Sequence, residues 1–112
     1  MPRLYRRISV WSERHIKHFL KTAVRIYHSA GLDVKIAPRS EDIGRLLVVI
    51  PKKVGSAPYR NLIRRRIKSL FYTHELYKRP YDWIIYVKPE EKLLDYERLS
   101  TIILNECLPL LK

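Results

Sequence analysis

Residues 52–68 read Lys52-Lys53-Val54-Gly55-Ser56-Ala57-Pro58-Tyr59-Arg60-Asn61-Leu62-Ile63-Arg64-Arg65-Arg66-Ile67-Lys68, with seven basic residues and no acidic one. At about 100° per residue a helix through this stretch has two chemically distinct sides. Tyr59, Ile63, Ile67, Leu70 and Phe71 line one side, which suits a core. Arg60, Asn61, Arg64, Arg65 and Lys68 line the other, and no Asp or Glu at i±3 or i±4 neutralises them. Ser56 is the expected cap, and Pro58 is tolerated in the first turn. This two-faced helix must pack on something apolar, and the flanking sequence supplies it.

Working outward, Arg45–Ile50 is a nearly continuous apolar run ended by Pro51, the pattern of a strand covered on both faces. Asp82–Val87 is a second such run, stopped by Pro89. Leu32–Ile36 alternates at period 2, as a half-buried strand does, and Arg25–His28 fits a short first strand. Ser12 can cap a helix running to about Val24, with Ile16, Phe19, Leu20 and Ala23 on one side. Asp95 can cap a last helix over about Tyr96–Leu108. The expected order is α-β-β-β-α-β-α. Helices packed on one mixed sheet of about four strands make an α/β (α+β) two-layer sandwich. Residues 1–112 form a single domain, of which 1–11 read as an irregular basic arm.

The 112 residues carry a formal net charge of +12 and a pI near 10.1. Residues 1–74 hold 17 Lys and Arg against 4 Asp and Glu, whereas residues 75–112 hold 6 against 7. Such a field favours a polyanion, and it belongs to the N-terminal two-thirds. One cysteine, Cys107, excludes an intramolecular disulfide and a cysteine-based zinc site. No apolar run approaches a membrane span, and no signal-peptide pattern opens the chain, so a cytoplasmic protein without a membrane partner is expected.

No catalytic constellation is evident. The basic two-thirds offers Glu13, Asp33, Glu41 and Asp42 without a metal-binding spacing. His15 and His18 are three residues apart on a helix but lack a third ligand, so no metal site and no catalytic side chain is expected. The basic helix face instead suits phosphates, with Asn61 able to add a directional hydrogen bond.

The stretch also resembles the signature of the bacterial ribonuclease P protein component, Lys-Lys-Val-Gly-Asn-Ala-Val-x-Arg-Asn-Arg-x-Lys-Arg-x-x-Arg. Lys52, Lys53, Val54, Gly55, Ala57, Arg60, Asn61 and Arg65 match outright, and Arg64 and Lys68 keep the charge. Ser56, Pro58 and Leu62 depart from the usual Asn, Val and Arg, and Arg66 lies one turn beyond Leu62. The resemblance implies a left-handed β-α-β crossover around the signature helix, against the usual right-handed rule. It implies the protein subunit of an endoribonuclease whose RNA subunit, with bound Mg²⁺, removes the 5′ leader of precursor tRNA. The implied partners are that catalytic RNA and precursor tRNA, with no obligate protein partner.

Two RNA surfaces follow from the resemblance. Lys52, Lys53, Arg60, Asn61, Arg64, Arg65 and Lys68 would meet the catalytic RNA. The open side of the sheet beside the first helix would hold the single-stranded leader, with Ile16, Phe19, Leu20 and Lys35 as candidates; Phe19 and Trp83 also suit a core. A ribosomal or general RNA-binding protein without a catalytic partner is the alternative.

Overall fold

The computed structural model describes residues 3–29, 31–89 and 95–110. Helix α1 (Arg3–Ile8) is followed by α2 (Glu13–Thr22), β1 (Val24–His28), β2 (Leu32–Pro38) and β3 (Leu46–Val49). A 3₁₀ turn at Lys52–Val54 leads into α3 (Ala57–Thr73), and a second at Leu76–Lys78 leads to β4 (Tyr81–Val87). The final helix, α4, is α-helical over Tyr96–Ser100, widens to a π-helix over Thr101–Cys107 and tightens to 3₁₀ over Leu108–Leu110.

The four strands form one sheet in the order β1-β2-β4-β3. β1 and β4 each run antiparallel to β2, and β3 runs parallel to β4. The mixed sheet with packed helices agrees with the two-layer sandwich read from the sequence. β4, central and paired on both sides, is the strand whose apolar run is most complete: Trp83, Ile84, Ile85 and Val87 are all buried.

The two faces of the sheet are covered unequally. Val34, Ile36, Leu46, Trp83, Ile85 and Val87 point to one face. There they join Ile63, Ile67, Leu70 and Phe71 of α3 and Leu99, Ile102, Ile103 and Cys107 of the final helix in the main core. Phe71 meets Trp83 edge-on at 6.2 Å, so Trp83 is a core residue. Burial pushes the Cys107 thiol up to about 12, which makes it an inert packing group. On the opposite face Ala37 and Ile84 are covered by Phe19 of α2, which Trp11 meets edge-on at 5.8 Å. Beyond Phe19 that face stays open.

The N-terminal arm differs from expectation. Residues 3–8 are helical rather than irregular; residues 1 and 2 lie outside those described. A six-residue helix has little stability alone. Here the burial of Ile8 in the main core fixes it, and Arg7 pairs with Asp42 at 2.6 Å. Neither contact is visible locally in the sequence.

A tight passage separates β2 from β3. Gly44 donates its N–H to the Tyr77 carbonyl at 2.8 Å, and a Cβ at this position would lie 2.3 Å from the Tyr81 carbonyl oxygen. Only glycine lets the chain pass so close to β4.

Candidate RNA interface

The signature segment is held by local hydrogen bonds. Ser56 caps α3 by accepting from the Tyr59 N–H at 3.3 Å, and the Arg60 Nε–H donates to the Gly55 carbonyl at 3.1 Å. Arg60 therefore ties the glycine turn to the first turn of the helix. Arg64 donates to the Asn61 side-chain oxygen at 3.2 Å, which leaves the Asn61 amide nitrogen for an outside acceptor. Lys52, Lys53, Asn61 and Arg65 are exposed; Arg60, Arg64 and Lys68 are half-buried. Burial lowers the Lys68 pKa. Leu62 is half-buried too, and so is Arg66. All seven predicted polar positions thus belong to one continuous loop-and-helix surface, and no acidic side chain occurs in α3.

The open end of the other sheet face is a groove of about 360 Å³, lined by Asp33, Lys35, Val49, Pro51, Tyr86 and Lys88, among others. The Lys35 ammonium lies 5.3 Å from the centre of the Tyr86 ring. Lys88 donates to Asp33 at 2.9 Å and to the Ser29 carbonyl at 2.7 Å, and His28 Nδ1 meets the same Asp33 oxygen at 2.6 Å. Burial alone would raise the Asp33 pKa, but the hydrogen bonds from Lys88 and His28 outweigh it and hold it below the usual carboxylate value. The groove therefore combines an aromatic plane, apolar walls, the Lys35 ammonium and the Lys88–Asp33 ion pair.

Of the residues expected at a leader site, Lys35 lines this groove and the three from α2 do not. Phe19 is fully buried, Ile16 is half-buried, and Leu20 is 58% exposed, away from the groove lining. Of the two roles open to Phe19, leader platform and core, the structure gives it the core one. Its position on the helix faces Ala37 and Ile84, so it is core. Tyr86 occupies the aromatic position instead. Its signal was present: in a strand with Trp83, Ile85 and Val87 on the core side, period 2 places Tyr86 on the other.

His15 is committed elsewhere. Its backbone N–H donates to the Ser12 hydroxyl at 3.2 Å, while its Nδ1 accepts from the Ser12 backbone N–H at 3.1 Å. An acceptor nitrogen carries no proton, so Nε2 is the N–H that donates to Glu41 at 2.6 Å. Both ring nitrogens are occupied. Glu41 also accepts from the buried Arg45 at 2.9 Å, and hydrogen bonds from Arg45 and His15 bring its pKa down to about 2. Among the described residues, no three His, Cys, Asp or Glu side chains gather as a metal site.

The family model described as Ribonuclease P matches residues 4–108. The chain belongs to the ribonuclease P protein family. It is 31% identical over 98 residues to the ribonuclease P protein component of Petrotoga mobilis, covering 83% of this chain and 82% of that protein. The fold is similar to that of the Staphylococcus aureus RNase P protein, with a TM-score of 0.75, 19% identity, and 92% and 94% of the two chains covered. The Thermotoga maritima RNase P protein gives 0.71 at 17% identity, covering 88% and 94%. Family membership carries RNA binding and tRNA processing, as the protein component of an endoribonuclease with an RNA subunit for its partner. No helix among the described residues is long and apolar enough to cross a membrane.

Proposed function

We propose that this protein binds the catalytic RNA through the 52–68 surface and holds the 5′ leader of precursor tRNA in the Lys35–Tyr86 groove. In doing so it assists magnesium-dependent removal of the leader by the RNA subunit. The observation that carries this reading is the placement of two cationic surfaces on opposite faces of one sheet. α3 lies over the core face, and the groove opens on the other. Two polyanions that repel each other can each meet their own set of cations there.

The groove chemistry suits a single strand. Bases stack on a planar side chain whatever their identity, while lysines track the backbone. Magnesium in this reading is organised by the RNA, whose phosphate oxygens are the hard ligands it prefers. The protein's part is binding and charge screening, with no side chain transferring protons.

Reconstitution tests the reading. Added to a bacterial ribonuclease P RNA at low magnesium, the protein should restore cleavage of precursor tRNA at the 5′ leader junction. Tight binding to unrelated RNAs with no stimulation of cleavage would instead identify a general RNA-binding protein.

A further inference from the structure

A second groove lies past the other end of β2 from Lys35, between the first half of α2 and the loop that follows β2. Its volume is about 300 Å³, and Arg14, His15, His18, Ser40 and Glu41 line it. The loop is pinned on both sides: the Arg39 N–H donates to the Pro80 carbonyl at 3.1 Å, and the Arg45 N–H donates to Asp82 at 2.8 Å. The His15–Glu41 bond of 2.6 Å ties α2 to the same loop. Both walls are therefore set before any ligand arrives.

The lining residues divide into two kinds. His15 and Glu41 are occupied by each other and by Ser12 and Arg45. Arg45 places a buried positive charge against Glu41, and its Nη1 has no hydrogen-bond partner among the described residues. Arg14, His18 and Ser40 are exposed, and among the described residues no side-chain hydrogen bond or ion pair engages the Arg14 guanidinium, the His18 ring or the Ser40 hydroxyl. Arg14 and His18 stand one turn apart on α2, so they share a side of the helix. A guanidinium, an imidazole and a hydroxyl thus converge where the one carboxylate is already neutralised. Such donors suit a phosphate.

We propose that this groove holds a phosphodiester of the leader upstream of the nucleotide stacked on Tyr86. Pro51 lines the Tyr86 groove and directly precedes Lys52 of the signature loop, so that groove is the one beside the catalytic-RNA surface. A leader leaving the catalytic RNA meets Tyr86 first. Ser40 lies five residues past Lys35 along β2 and its continuation, at most roughly 17 Å at about 3.3 Å per residue. A few nucleotides of extended strand cover that distance.

The inference rests on the reading of the Lys35–Tyr86 groove as the leader site, and leader length separates the two. In the reconstituted holoenzyme, precursor tRNA with a leader long enough to pass both grooves should bind more tightly than one whose leader ends at Tyr86. Arg14→Gln with His18→Gln, both at exposed positions, should abolish that advantage. The short-leader precursor and mature tRNA should keep their affinity for the double variant. Its salt slope for the long leader should flatten by about 0.7, the value for one phosphate of a single strand. Uncharged methylphosphonates in the upstream stretch should remove the advantage from the unaltered protein as well. Tyr86→Ala should weaken both leaders alike. A long-leader advantage that survives the double variant, with Tyr86→Ala still weakening both leaders, would overturn the second groove and keep the first. No effect of either change would remove both. Equal losses for precursor and mature tRNA in the double variant would set Arg14 and His18 against another part of the RNA and overturn the proposal.

Discussion

The Lys35 ammonium sits 5.3 Å from the centre of the Tyr86 ring, on the diagonal of the β2–β4 ladder in which Asp33 faces Tyr86 and Lys35 faces Ile84. At a partly exposed site such a contact is worth about 0.5–1 kcal/mol, enough to orient the ring without closing the groove. In the proposed leader site the ring would stack on a base and the ammonium would meet the phosphate beside it. Tyr86→Ala should weaken binding of precursor tRNA to the reconstituted holoenzyme by roughly 1–3 kcal/mol, the range for one stacked base. Mature tRNA, which lacks the leader, should bind unchanged, and Tyr86→Phe should keep most of the affinity. Equal losses for precursor and mature tRNA would place Tyr86 outside the leader site.

Phe19 should behave as a core residue. It fills the space over Ala37 and Ile84 under Trp11, so Phe19→Ala removes a buried ring and leaves a cavity. Urea unfolding should show a loss of about 3–5 kcal/mol, and Phe19→Leu a much smaller one. Under conditions where the Leu variant is folded, its leader affinity should match that of the unaltered protein. A selective loss of leader binding in a fully stable Phe19→Leu protein would return this residue to the interface.

Arg60 and Arg65 test the other face. Neither belongs to the apolar stripe of α3, so changing both to Ala should preserve the fold. Arg60 also donates to the Gly55 carbonyl, so its removal frees the glycine turn as well as deleting a charge. Affinity for the catalytic RNA should fall. The salt slope should drop by somewhat under one unit, about 0.7–0.9, for each phosphate that the variant no longer neutralises. Binding of an isolated leader strand should change less. Leu62→Arg, which supplies the family's usual residue at a half-buried position, should keep or strengthen RNA binding. Titrations at several salt concentrations check each variant, and unchanged affinity and slope in the double variant would show that this helix faces water.

Glu41 links stability to acid. Hydrogen bonds from Arg45 and His15 lower its pKa from the usual 4.5 to about 2 in the folded chain. A carboxylate depressed on folding stabilises the protein above its unfolded pKa, and that contribution is lost as pH falls through the folded value. Between about pH 4.5 and 2, the unaltered protein should therefore lose stability that Glu41→Gln lacks from the start. Thermal unfolding across this window reads the difference. At neutral pH the folded variant should still support RNA-catalysed cleavage within about tenfold, because losing a true general acid or base typically costs 10²–10⁴-fold. A hundredfold loss in a well-folded protein would give Glu41 a part in the chemistry.

Local pattern was enough to read the elements that carry their own periodicity. The two-faced helix α3, the apolar runs of β3 and β4 and the alternation of β2 are each encoded within a few neighbouring residues, and so was the unopposed basic face. The signature residues could be assigned to a family because they lie consecutively along one loop and helix. What depended on the tertiary structure was everything set by contacts between distant segments. α1 forms because Ile8 reaches the core and Arg7 reaches Asp42, 35 residues on. Phe19 is core because α2 lands on Ala37 and Ile84, and Tyr86 becomes the groove's aromatic because β4 takes the centre of the sheet beside β2. His15 is occupied because the chain returns Glu41 to it across 26 residues. Helical and strand periodicities fix which side chains share a face, but the partner that covers a face is chosen by packing the whole chain.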